Sequence, residues 1–228
     1  MNLQPIIRAD GLCRRQGLRW VLVHLNFELQ TGESLLLAGG NGAGKSTLLR
    51  LLSTLTPPSQ GELELFGTSV KVNRRPQRNR IGLLGHTNQL YPELTPSDHL
   101  QLWSRLAGME LPKGLLDRVE LADRAHDPAR TFSAGMCKRL ALARLMLLNP
   151  DLILLDEPFG QLDAQGVSLM QEAVEGWRDQ GKTVVLATHL IERGKPLCDR
   201  ALLLAHGRLK WTGPAAELSA SMVAGADS

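Results

Sequence analysis

The chain has 228 residues, a hydrophobic share of 43% and a formal charge of +3. That length suits one α/β domain, with or without a small subdomain, and so mild a charge singles out no nucleic-acid partner. The apolar runs 35–40, 152–155 and 201–205 are far too short to span a bilayer, and the first residues read as strand rather than as a secretory signal, so the chain is expected to stay in the cytosol.

Ile6–Leu12 and Val21–Leu29 alternate loosely about a polar, glycine-containing turn and predict antiparallel strands. Glu33–Ala38 predicts a short strand ending in glycines, followed by a helix over about 45–53. Pro57-Pro58 and Gly61 break the chain before strands at Glu62–Phe66 and Ile81–Leu84. The basic run Lys71 to Arg80 between them reads as a solvated connection. Thr95-Pro96-Ser97-Asp98 opens a helix, with Thr as N-cap, Pro at the first helical position and an acid in the first turn. From there to about Leu148 the pattern is helical. Leu152–Leu155 and Thr183–Ala187 are strands with the helix Ala164–Asp179 between them, and a last strand, Ala201–Ala205, precedes a hairpin and a small-residue tail from Ala220.

Strands alternating with helices predict an α/β fold whose mostly parallel sheet is covered on both faces. The helical middle reads as an insertion. The expected organisation is one domain over residues 1–228, with a core of about 1–86 and 148–219 and a helical subdomain of about 87–147. Cys13, Cys137 and Cys198 are widely spaced, which predicts reduced structural thiols.

Gly39-Gly40-Asn41-Gly42-Ala43-Gly44-Lys45-Ser46 fits GxxxxGK[ST] at a strand–helix junction, the context a P-loop requires. Glycines let backbone N–H groups curl around phosphates, and the helix N-terminus adds unsatisfied donors. Lys45 is expected to reach the β- and γ-phosphates and the Ser46 hydroxyl to hold Mg2+. Leu152–Leu155 leads into Asp156-Glu157, two acids at a strand end. Asp156 suits a Mg2+ ligand and Glu157 a base that orients the attacking water. His189, at the end of Thr183–Ala187, is placed to hydrogen-bond a γ-phosphate. His24, His99, His126 and His206 have no such placement and carry no assignment.

Phe132-Ser133-Ala134-Gly135-Met136, followed by Lys138-Arg139-Leu140-Ala141-Leu142-Ala143-Arg144, resembles the LSGGQ signature of ABC-type ATPases. Gly160-Gln161-Leu162-Asp163 resembles that family's D-loop and His189 its switch histidine; the resemblance runs from about Ile6 to Gly213. It implies the P-loop NTPase fold of ABC ATPases and the cofactors ATP and Mg2+. Nucleotide contacts are implied for Gly39–Ser46, Thr47, His86, Ser133, Gly135 and Asp163. It also implies a head-to-tail pair of domains with two ATPs between them, a homodimer here since all the parts are on one chain.

The sequence departs from the family in places. His86 stands at the usual glutamine of the Q-loop, the adenine-stacking aromatic is missing near Gln16 with Trp20 as a substitute, and Met136 and Ala134 alter the signature. The resemblance further implies a transmembrane permease docking on residues 87–110, with Tyr91 and Trp103 as exposed contacts. It implies a peripheral place at the cytoplasmic face of the inner membrane, no nucleic-acid partner and no direct contact with cargo. Gly85-His86, Leu90-Tyr91, Leu94-Thr95 and the Ser-Ala-Gly signature look like the ATP-binding subunit of haem exporters in cytochrome c maturation, which sets haem export as the expectation. The alternatives are another exporter with different cargo and a soluble, non-transport ABC ATPase. Against the soluble ATPase stands the lack of sustained heptads or a second P-loop. The signature segment and the Asp156-Glu157 pair argue against a P-loop kinase or GTPase.

Overall fold

The computed structural model describes residues 4–71, 75–85 and 89–226. Strands β1 (Pro5–Gln16) and β2 (Arg19–Gln30) form a long hairpin. The other edge of β1 pairs with β4 (Gln60–Leu65), which pairs with the short β5 (Thr68–Ser69), giving an antiparallel sheet ordered β2-β1-β4-β5. Both hairpin strands run farther than Ile6–Leu12 and Val21–Leu29. The register shifts between Ala9 and Leu12, where Gly11 sits at φ +55° and its N–H bonds Asn26 Oδ1 at 2.6 Å. A bulge of this kind breaks the period-two pattern, so the polar half beyond it does not read as strand.

The second sheet is ordered β10-β9-β3-β8-β7-β6. It comprises β3 (Ser34–Ala38), β6 (Ile81–Leu84), β7 (Leu152–Asp156), β8 (Thr183–Ala187), β9 (Arg200–Ala205) and β10 (Arg208–Pro214). Its pairs are parallel except β9–β10. Every residue of β3, β7 and β8 is buried, because the sheet is covered on both faces. Alternation along a strand decides which cover each residue meets. Leu35, Leu37, Leu152 and Leu154 pack with the leucines of α1 (Lys45–Leu52) and with the antiparallel sheet. Leu36, Ile153 and Leu155 pack with Met170, Val174 and Trp177 of α6 (Ala164–Asp179). This is the two-faced, mostly parallel architecture that the sequence predicts.

Between β6 and β7 the described residues contain no strand. After α2 (Arg75–Arg78) and β6 come α3 (Pro96–Ala107), α4 (Leu115–Arg118) and α5 (Ala134–Leu148), with an apolar cluster of their own around Leu100, Trp103, Val119, Leu121, Leu140 and Leu147. Helix α5 has apolar residues on two sides, because Leu140, Ala143 and Leu147 join that cluster while Ala141, Leu142 and Leu145 join the sheet's. One helix thereby belongs to both cores. Two short helices, α7 (Ile191–Gly194) and α8 (Ala220–Ala226), complete the chain. Among the described residues no helix is long and apolar enough to cross a membrane.

The start of α3 is a capping box. Thr95 Oγ1 accepts the Asp98 N–H at 3.1 Å and Asp98 Oδ2 accepts the Thr95 N–H at 3.1 Å. Those bonds from Thr95 hold the Asp98 carboxyl below its usual pKa. In the basic run, Arg80 pairs with Asp151 and lies 3.9 Å from the Phe66 ring centroid, while residues 72–74 lie outside the described part. Trp103 corrects an expectation: it is only 8% exposed, turned into the α3–α5 contact beneath the Arg144 guanidinium, whereas Tyr91 is 57% exposed.

His99 is fully buried and does local work that the sequence did not disclose. Its Nδ1–H donates to Thr95 O at 2.9 Å, its Nε2 accepts the Tyr91 N–H at 2.9 Å, and its ring lies between those of Tyr91 and Trp103. That pattern requires the neutral ring, and burial accordingly lowers its pKa from 6.5. A base with a depressed folded-state pKa binds its proton less well when folded. Its contribution to stability is therefore complete above its ordinary pKa of 6.5 and is lost as pH falls below it. His99→Leu strands the Tyr91 N–H and is expected to cost about 1–3 kcal/mol. Denaturant melts across the acid range should also show a shallower pH dependence in this variant than in the parent.

Candidate nucleotide site

The parallel register brings three loops to one edge of the sheet. Ala187 of β8 pairs with Leu37 of β3 on one side and with Asp156 of β7 on the other. The residues that follow, Gly39–Ser46, Glu157 and Thr188-His189, therefore leave the sheet side by side at its carboxyl edge.

The first loop depends on glycine at two close approaches. Gly39 has φ +145°, and a Cβ there would lie 2.2 Å from Leu204 O. Gly44 has φ +111°, and a Cβ there would lie 2.5 Å from Leu22 Cδ2. The loop is latched from outside, since Gly207 N–H donates to Ala43 O at 3.1 Å and Val23 N–H to Gly207 O at 2.8 Å. Gly44 is the N-cap of α1 and offers no side-chain bond, so the N–H groups of Lys45, Ser46 and Thr47 lack the intrahelical acceptors of later turns. The Lys45 ammonium is buried and donates to Gly39 O at 2.7 Å and Gly40 O at 3.0 Å. Asn41 and Gly42 stand exposed at the tip. A cradle of N–H groups around a buried ammonium suits a polyphosphate.

Ser46 and the buried Asp156 line one cleft of 530 Å³, together with Leu49, Thr56, Gly85 and Gln89. A hydroxyl and a carboxylate are hard oxygen donors of the sort Mg2+ takes. No group of three or more His, Cys, Asp or Glu side chains suited to a metal occurs among the described residues.

Glu157 follows Asp156 with φ +49°, a left-handed backbone that a non-glycine residue adopts at a cost. Its N–H donates to Ala187 O at 2.8 Å. The carboxylate is held by three donors: Thr188 Oγ1–H to Oε2 at 3.0 Å, His189 N–H to Oε1 at 3.0 Å, and His189 Nδ1–H to Oε2 at 2.9 Å. Sequence order separates Glu157 from His189 by more than thirty residues; the β7–β8 register makes them hydrogen-bond partners.

The signature lies elsewhere. Ser133 is the N-cap of α5, its Oγ accepting the Met136 N–H at 3.2 Å. A Cβ on Gly135 would lie 2.9 Å from Gln161 O, so the signature packs closely on the D-loop. Asp163 caps α6 through Gly166 N–H at 2.8 Å and accepts from Arg139 at 2.6 Å, and these bonds lower its pKa. Arg139 also pairs with Glu120. Ser133, Gly135 and Asp163 line a second cleft, of 540 Å³, whose lining includes neither Ser46 nor Asp156. His86 lies outside the described residues. Gln16 is exposed at the β1–β2 turn, and Trp20, partly exposed, has the Arg15 guanidinium 6.0 Å from its ring centroid. Cys13 and Cys198 are buried free thiols, and burial pushes Cys198 up to about 12. Lys138, to which the sequence attached no role, is buried with its ammonium donating to Glu157 O at 2.9 Å and Gly160 O at 2.6 Å.

The model of the ABC transporter family matches residues 22–160. A Nod factor export ATP-binding protein I of Ralstonia nicotianae is 36% identical over 90% of this chain and 65% of its own length. Another, of Burkholderia lata, is 37% identical over 86% of this chain and 66% of its own. The chain thus spans just under two thirds of these relatives. A solved structure of an ATP-binding subunit of an ABC transporter superposes with a TM-score of 0.85 at 28% identity, covering 92% of this chain and 90% of that one. The chain belongs to the ABC transporter family. It is an ABC-type ATPase, and ATP with Mg2+ is what its P-loop takes.

The relatives overturn the haem-export and cytochrome c expectation, because they are Nod factor exporters. Three of the residues behind that expectation, Tyr91, Leu94 and Thr95, take part in local bonds. Thr95 caps α3, Leu94 O accepts the Ala129 N–H at 3.0 Å, and the Tyr91 N–H is taken by His99. Features that close a loop onto its own helix carry no information about cargo.

Gly39→Ala puts a methyl against the Leu204 carbonyl and is expected to abolish nucleotide binding while the sheet still folds. Fluorescent-nucleotide titration beside circular dichroism checks this, and normal affinity in the variant would show that the loop tolerates displacement.

Proposed function

We propose that the chain drives an export permease by binding ATP between two copies of itself and hydrolysing it there. Support comes chiefly from Glu157, a carboxylate held by Thr188 and His189 next to the P-loop edge. Lys45 and the N–H groups of Gly39–Ser46 and Thr47 take the phosphates, and Ser46 with Asp156 hold the metal. Bound Mg2+ supplies neutralisation of charge on the phosphoryl oxygens. Oε1 of Glu157 accepts one hydrogen bond and Oε2 two, so Oε1 keeps a lone pair for the attacking water and its proton. His189 holds that carboxylate in place and stands beside the γ-phosphate. His86 is assigned to the water shell of the metal.

The separation of the two clefts favours a pair. Ser133 and Gly135 cannot close over their own P-loop if they line a different surface, whereas a second copy, head to tail, brings them to it. The α5 N-terminus then supplies a positive helix end to the partner's γ-phosphate, and Asp163 lies at the shared face. Nod factor, the cargo named for the relatives, represents the class of molecule exported. The chain itself does not contact cargo. It sits at the cytoplasmic face of the inner membrane, where exposed Tyr91 and Leu106 meet the permease.

Glu157→Gln should bind ATP, lose turnover by about 100-fold or more and accumulate an ATP-dependent dimer on gel filtration. Turnover at the parent rate would remove Glu157 as the base. Lys45→Ala should lose both binding and turnover. Tyr91→Ala is expected to keep basal ATPase activity but to float less with membranes carrying the permease; equal flotation would place the contact elsewhere.

A further inference from the structure

The reading of Glu157 as the base leaves open what fixes its strained backbone. The sheet ladder holds its neighbours on β7 and reaches the Glu157 N–H, which bonds Ala187 O, but the turn from the Glu157 carbonyl to Gly160 lies beyond it. Within that turn Gly160 N–H donates to Glu157 O at 3.3 Å, and both carbonyls then point at one group, the ammonium of Lys138. Lys138 is 5% exposed and comes from α5, five residues after the N-cap Ser133. A Cβ at Gly160 would sit 3.8 Å from its Nζ and 3.6 Å from Glu157 O, in ordinary van der Waals contact with both.

A lysine in this position is an expensive way to fill space. Burial disfavours its charge and lowers its pKa, against the attraction of the Glu157 and Asp156 carboxylates. An apolar side chain would avoid that cost but leave two carbonyls without this donor. Two charge-assisted bonds to one turn, from a rigid helix shared by two cores, define the turn's place more tightly than apolar packing does.

We propose that Lys138 is a positioning residue. By holding the Glu157 and Gly160 carbonyls it sets the aim of the Glu157 carboxylate and ties it to the helix whose N-cap, Ser133, faces the nucleotide of the partner copy. The same bond to Gly160 O anchors the start of the loop leading to Asp163. A shift of the signature helix when one nucleotide is bound is thereby passed to the base serving the other. This inference rests on the reading of Glu157 and of the paired domains.

The test measures steady-state ATPase activity and fluorescent-ATP binding for Glu157→Gln, Lys138→Met, Lys138→Arg and Lys138→Gln in the full chain. Lys138→Met is expected to lower kcat by about 10- to 100-fold with KM for ATP within about twofold, since misaiming a reactive group by an ångström costs on that order. Lys138→Arg, which keeps the charge and the donors, should recover most of kcat. A kcat of Lys138→Met within about twofold of the parent overturns the proposal. So does a loss of ATP affinity as large as the loss of kcat, which marks a purely structural lysine. Should Lys138→Met fail to fold by circular dichroism, the same split of kcat against KM is read on Lys138→Gln, which retains an N–H donor but is too short to reach both carbonyls. Glu157→Gln keeps the two failures apart. If it turns over normally, the assignment of the base falls; if it is inactive while Lys138→Met is normal, only the role of Lys138 falls.

Discussion

Everything at the candidate site depends on the register of the parallel sheet. Ala187 is level with Leu37 and with Asp156, so the strands β3, β7 and β8 end together and their following residues leave from one edge. A slip of one residue would turn the alternating leucines of β3 out of their two cores and would also separate the P-loop from Glu157. The hydrophobic burial that pins the register therefore pins the chemistry as well. Leu35 and Leu37 face one cluster and Leu36 the other, and neither can be moved without opening both.

Part of the chain's backbone strain falls on this edge. Gly39 and Gly44 take positive φ where β9 and β2 press close, and Glu157 takes it without the freedom of glycine. The two cases differ in physics. At Gly39 the missing side chain is what permits the approach of Leu204 O. At Glu157 the side chain is needed, so the conformation is held from outside, by the Ala187 carbonyl at its N–H, by Lys138 at its carbonyl and by three donors at its carboxylate. A residue fixed at both backbone ends and at its side chain is pre-organised, which is what the role proposed for Glu157 requires.

Helix α5 connects these arrangements. Its N-cap is Ser133, its second turn carries Lys138, Arg139 reaches Asp163, and farther along Arg144 donates to Leu83 O of β6. The helix is buried on opposite sides by different clusters, so it moves as a unit or not at all. Sharing two cores is the feature that the coupling proposed above relies on.

The order of strands and helices, the P-loop and the acids at the end of β7 are legible in the amino-acid order, because these depend on local signals: apolar runs, glycines at a strand–helix junction, a capping box at Thr95. The sequence also carried the family, through the signature ahead of those acids. It could not show the far half of the first hairpin, since the bulge at Gly11 breaks the alternation that betrays a strand. The inward turn of Trp103, the full burial of His99 and the clamp of Lys138 on Glu157 and Gly160 were equally hidden, for each is a contact between segments whose separation no periodicity records. His99 and Trp103, four apart on α3, were one available sign of a shared face. The contact of Tyr91, Thr95 and His99 is visible only in the tertiary structure, because it joins a loop to the helix that follows it.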